Sequence, residues 1–141
     1  MIYLDTPVAL AHLLAEDRSP PPPLWDATLL SSRLLEYEIW NRLHARRLTR
    51  SHGEHARELL QRLALLELAP TMLARALETF PAPLRTLDAL HLASIGFLRE
   101  QRQDVSLASY DVRMVAAARG LGIRCSRCRS AALTLKRALS S

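Results

Sequence analysis

Lysine is almost missing from this chain of 141 residues: Lys136 is the single one, so nearly all of the formal net charge of +5 rests on arginine. Arginine in place of lysine is what a G+C-rich coding sequence produces. It is also the better phosphate ligand, because its planar fork binds two oxygens at once. A basic chain is therefore compatible with a nucleic-acid partner without establishing one. Glycine is scarce, at four residues, which argues against a Gly-rich phosphate-cradling loop. There is no G-x-S-x-G elbow and no H-E-x-x-H pair. The only two cysteines sit in Cys125-Ser126-Arg127-Cys128, without the second pair or nearby histidine that a four-ligand zinc site needs. They read as incidental thiols. No apolar run approaches the roughly 18 residues of a membrane span. Met1-Ile2-Tyr3-Leu4-Asp5 lacks a basic n-region and has an acid where a signal peptide would be apolar. These absences predict a cytoplasmic protein with no membrane segment.

What is present suits one soluble domain over residues 1–141, with a core over about 1–125 and a helical extension over 130–141. Hydrophobic residues make up 49% and charged residues 23%, enough apolar material for one sizeable core. Ile2-Tyr3-Leu4 reads as a buried strand delivering Asp5 at its end. Thr6 is then the expected N-cap, and Pro7 the first residue, of a helix running to about Ala15. The run Pro20 to Pro23 cannot continue a helix and reads as an extended loop. Thr28 to Ser31 reads as a second strand and Arg33 to about Arg47 as a helix. Ser51 with Glu54 three residues on resembles a capping box opening a further helix to about Leu65. Leu66 to Pro70 reads as a brief strand, followed by a helix from Thr71. A long helix is expected over about Thr86 to Arg99, a strand over Val105 to Ser109, a helix over Asp111 to Arg119 and a final strand at Ile123 to Cys125. The tail has apolar residues at helical spacing, Leu133, Leu135 and Leu139. Short strands alternating with helices predict an α/β fold with a parallel sheet covered on both faces.

In such folds ligands bind beyond the carboxyl ends of the strands. Asp5 follows the first strand and Asp111 the fourth. Read alone, each is a helix N-cap; together, on one sheet edge, they suggest a shared site. Asp88 falls between Leu84, Leu92 and Ile95 on a helical wheel, an expensive place for an acid unless something pairs with it or the helix dipole favours it. His91 lies on the same side one turn on and reads as a satisfied core residue. A fourth acid comes from Arg33-Leu34-Leu35-Glu36-Tyr37-Glu38, where the wheel does not choose between Glu36 and Glu38. Carboxylates brought together repel, and a hard divalent ion such as Mg²⁺ or Mn²⁺ removes the conflict. Arg42, Arg46, Arg47 and Arg50 form a basic stretch, either a phosphate grip or a solvated helix face.

Four segments resemble the PIN-domain ribonucleases, and among them the VapC-type toxins. They are Tyr3-Leu4-Asp5-Thr6, Ser32 to Glu38, Leu84-Arg85-Thr86-Leu87-Asp88-Ala89-Leu90-His91-Leu92-Ala93, and Leu107 to Met114 followed by Gly120-Leu121-Gly122-Ile123. The likeness spans about residues 1–125. The resemblance implies a three-layer α/β/α fold around a five-stranded parallel sheet, and a Mg²⁺- or Mn²⁺-dependent endoribonuclease. It implies a VapB-type antitoxin as partner and a homodimer. It selects Glu38 over Glu36, making Asp5, Glu38, Asp88 and Asp111 the expected catalytic and metal-binding acids. Thr6 and Ser109 become supporting residues, with Ser109 standing where the family often has threonine. Pro7 departs from the family pattern, where a small polar residue is common. The competing expectations are a non-catalytic antitoxin-binding module that holds its partner on DNA, and a nuclease acting on DNA.

Overall fold

The computed structural model describes residues 1–16 and 20–126. Its elements run β1 (Ile2–Leu4), α1 (Thr6–Leu13), a 3₁₀ turn (Pro22–Asp26), β2 (Leu29–Ser32), α2 (Arg33–Ala45), α3 (Thr49–Gln61), β3 (Ala64–Leu66), α4 (Pro70–Ala76), α5 (Thr86–Glu100), β4 (Ser106–Ala108) and α6 (Val112–Gly120). The strands are parallel, in the order β3-β2-β1-β4. β1 aligns Ile2 with Leu29 of β2 on one side and Leu4 with Ala108 of β4 on the other.

Successive strand side chains point to opposite faces, and here that alternation divides the core in two. Leu4, Leu29 and Ala108 face a cluster with Val8 and Leu10 of α1, Leu35, Ile39 and Leu43 of α2 and Leu59 of α3. Tyr3, Leu30 and Leu107 face the other cluster, with Leu92 and Ile95 of α5 and Met114, Ala117 and Ala118 of α6. Each fully buried leucine or isoleucine contributes about 1.5–3 kcal/mol, so a one-residue register slip, which exchanges the two faces, is strongly disfavoured. The three-layer α/β/α arrangement expected from the sequence is the one observed.

The sheet has four strands among the described residues, not the expected five. Ile123 to Cys125 makes a single bridge, Leu107 to Cys125. The cause lies in how α6 ends. Gly122, at φ +74°, donates its N–H to Arg119 and Ile123 donates its own to Ala118, the paired bonds of a Schellman motif that favours glycine. With those donors committed to the helix, only the Arg124 carbonyl and the Ser126 N–H reach β4.

Other boundaries moved for equally local reasons. Asp5, not Thr6, caps α1, accepting the Thr6 N–H. The proline run gives way to the 3₁₀ turn at Pro22. No capping box opens at Ser51, because α3 already runs through it from Thr49; the Ser51 hydroxyl bonds back to the Leu48 carbonyl. β3 begins two residues earlier than expected, where Ala64 can pair with Leu30. Cys128 and the tail from Ala131 to Leu139 lie outside the described residues. No helix among those described is long and apolar enough to cross a membrane.

Candidate active site

The chain runs from β1 outward through β2 to β3, then returns to place β4 on the opposite side of β1. Strand order therefore reverses between β1 and β4, and in open α/β sheets that reversal opens a crevice at the carboxyl edge. Asp5 and Ser109 leave these two strands there. Asp5 is 2% exposed. Its Oδ1 accepts the Thr6 N–H at 2.9 Å and its Oδ2 accepts the Ser109 hydroxyl at 2.7 Å. The Ser109 Oγ in turn accepts the Asp111 N–H at 3.0 Å, so one hydroxyl ties the first acid to the last. Asp111 caps α6, its Oδ1 accepting the N–H groups of Arg113 and Met114 at 2.8 and 3.2 Å.

The other two acids arrive on helices. Asp88 stands in the first turn of α5, half-buried. Glu38 stands in the second turn of α2, with its Oε1 2.8 Å from Nε2 of His91. Glu36 turns away, to Arg33 at 3.0 Å, so its partner is an exposed arginine on its own helix.

The four acids share one field. Burial pushes the Asp5 carboxyl up to about 6; His91 and the Ser109 hydroxyl pull it down, while the charges of Asp88 and Glu38 push it up. Asp88 is raised by burial and then by Asp111, is lowered by His91 and Arg85, and is raised again by Glu38. Asp88 and Glu38 raise Asp5, and Asp111 and Glu38 raise Asp88, so a positive charge among them would be favoured. Oxygen donors in such a field match a hard divalent cation in chemistry. In spacing the set is open: among the described residues no three His, Cys, Asp or Glu side chains stand close enough to hold a metal ion. Asp5, Glu38 and Asp111 are each hydrogen-bonded to a protein group.

His91, read from the sequence as a core residue, is fully buried as expected, yet it also faces the site. Its position three residues after Asp88, on one helix face, was the available signal. The basic stretch begins one turn beyond Glu38 on α2, at Arg42, and runs on away from it. Arg42, Arg46, Arg47 and Arg50 are all exposed, and Arg46 lies about 12 Å along the α2 axis from Glu38, 3.9 Å from Glu16. Their exposure suits a solvated face and a phosphate grip alike.

Comparison with known proteins bears on the family. The PIN domain family matches residues 2–120. Ribonuclease VapC47 of Mycobacterium tuberculosis (strain CDC 1551 / Oshkosh) is 31% identical over 131 residues, which cover 86% of this chain and 93% of that protein. No solved structure gave a match of comparable strength. With acids at the ends of β1 and β4, an acid-bearing α5, and similarity along nearly its whole length, the chain belongs to the PIN-domain family, in its VapC-type ribonuclease branch.

Proposed function

We propose that this protein is a divalent-metal-dependent endoribonuclease, the toxin of a toxin–antitoxin pair, which hydrolyses RNA phosphodiesters at Asp5, Glu38, Asp88 and Asp111. The observation that carries the reading is that Asp5 and Asp88, at the β1–β4 crevice, are each raised by burial and by the charges of other acids of the set, in a chain of this family. Asp5, Asp88, Asp111 and Glu38 would hold Mg²⁺ or Mn²⁺, which supplies a water of lowered pKa and positive charge beside the scissile phosphate. Ser109 and the Thr6 N–H keep the Asp5 carboxylate in one orientation, so little side-chain freedom is lost when a ligand arrives. Arg85, close enough to lower Asp88, is placed to meet a substrate phosphate as well. The partners proposed with this activity are single-stranded or looped RNA as substrate, a VapB-type antitoxin and a second copy of the chain.

A second reading has its own support. Asp5, Glu38 and Asp111 are already satisfied by protein donors, as a purely structural cluster in a non-catalytic antitoxin-binding module would be. Cleavage mapping separates the two. Total RNA from cells expressing the wild type should show discrete new 5′ ends that vanish with Asp88→Ala, and matched DNA should stay intact in vitro. Identical RNA profiles for the two proteins would remove the nuclease reading, and cutting of the DNA alone would transfer it to DNA.

A further inference from the structure

Behind the acids stands a run of three polar side chains from three elements: Tyr3 of β1, His91 of α5 and Glu38 of α2. Tyr3 and His91 are both fully buried. The Tyr3 hydroxyl is 2.7 Å from His91 Nδ1, and the rings meet edge to face with centroids 5.6 Å apart. On the other side of the imidazole, Nε2 is 2.8 Å from Glu38 Oε1, with the Thr6 hydroxyl 3.4 Å away. An ionised carboxylate can only accept, so Nε2 carries the proton in the bond to Glu38. Whichever way the proton lies between Tyr3 and Nδ1, the ring is held from both ends.

This arrangement does more than satisfy a core histidine. An apolar side chain would fill the volume without aiming a donor at a site acid. Glu38 is a long side chain with 20% of its surface exposed, and a free glutamate gives up about 1.5–2 kcal/mol of rotamer freedom when fixed. The His91 bond removes part of that freedom before any ligand binds. Outer hydrogen bonds to metal-ligating carboxylates commonly govern metal affinity.

We propose that His91 is a positioning residue that sets the site's affinity for its divalent cation by holding Glu38, with Tyr3 anchoring the ring from behind. The inference rests on the metal-dependent reading above. The test is calorimetric titration of the RNA-free full chain with MnCl₂. His91→Phe, which keeps the bulk and loses both bonds, should weaken Mn²⁺ binding about ten- to a hundredfold. His91→Gln, whose amide can still donate to Glu38, should recover part of the loss, a rescue that a space-filling role would not produce. Tyr3→Phe should show a smaller loss of the same kind. Wild-type affinity in a folded His91→Phe protein overturns the proposal. If that variant does not fold, wild-type affinity in Tyr3→Phe overturns it instead. If the wild type itself takes up no Mn²⁺, the metal-dependent reading falls and this inference with it; if wild type and variants bind equally, this inference falls alone.

Discussion

Asp5 carries the clearest consequence at the scale of single residues. Its carboxyl is raised to about 6, chiefly by burial, so the folded protein binds that proton more tightly than the unfolded chain does. The favourable contribution is complete below about pH 4 and is lost as pH rises through 6, amounting to about 3 kcal/mol. In chelator, wild-type stability should therefore fall relative to Asp5→Asn between pH 4 and 6, and the difference should level off above that. Parallel melting curves across the range would contradict this assignment. The Glu36–Glu38 pair shows what a helical wheel leaves undecided. Both have apolar neighbours at helical spacing, and the resemblance alone chose Glu38. The difference between them is a contact from 53 positions away, His91, and no local pattern records it.

At the scale of elements, legibility followed the locality of the determinant. β1, α5, β4 and α6 lie close to their sequence-based positions because strand alternation, helical spacing and the Asp111 cap are all local signals. The capping-box pattern at Ser51 marks the start of α3 two residues too late, since the helix begins at Thr49. Gly53 sits inside the helix, where its missing side chain faces the ring of Trp40 at about van der Waals distance. The glycines give a paired test. Gly96, inside α5, has open space where a Cβ would stand, so Gly96→Ala should stabilise by about 0.5–1 kcal/mol through helix propensity. At Gly120 the same atom would meet the Pro81 ring at 2.6 Å, and Gly120→Ala should destabilise by about 1–3 kcal/mol through overpacking. Denaturant midpoints of the two variants should move in opposite directions, and movement of both the same way would count against this packing of α6 on the loop before α5.

For the whole molecule, the expected signature is linkage between cation binding and folding. A ligand that binds only the native state stabilises by about 2.7 kcal/mol at a hundred times its Kd. Saturating Mn²⁺ should raise the melting temperature of the wild type near neutral pH and leave Asp88→Ala unmoved. The gain should shrink as pH falls through 6, where Asp5 takes up its proton. A wild-type melting temperature indifferent to Mn²⁺ would favour the structural-cluster reading.

From the order of residues alone follow the α/β class, the delivery of Asp5 and Asp111 at strand ends, Asp88 in the first turn of a long helix, and the family itself. All of these depend on local periodicity and short motifs, whose physical causes act over a few residues. Tertiary structure alone decided that β4 crosses to the far side of β1, that Ser109 bridges Asp5 to Asp111, that His91 takes Glu38, and that the last strand shrinks to one bridge. Those outcomes depend on which distant groups compete for each hydrogen-bond donor and each buried face, a contest settled only when the whole chain packs.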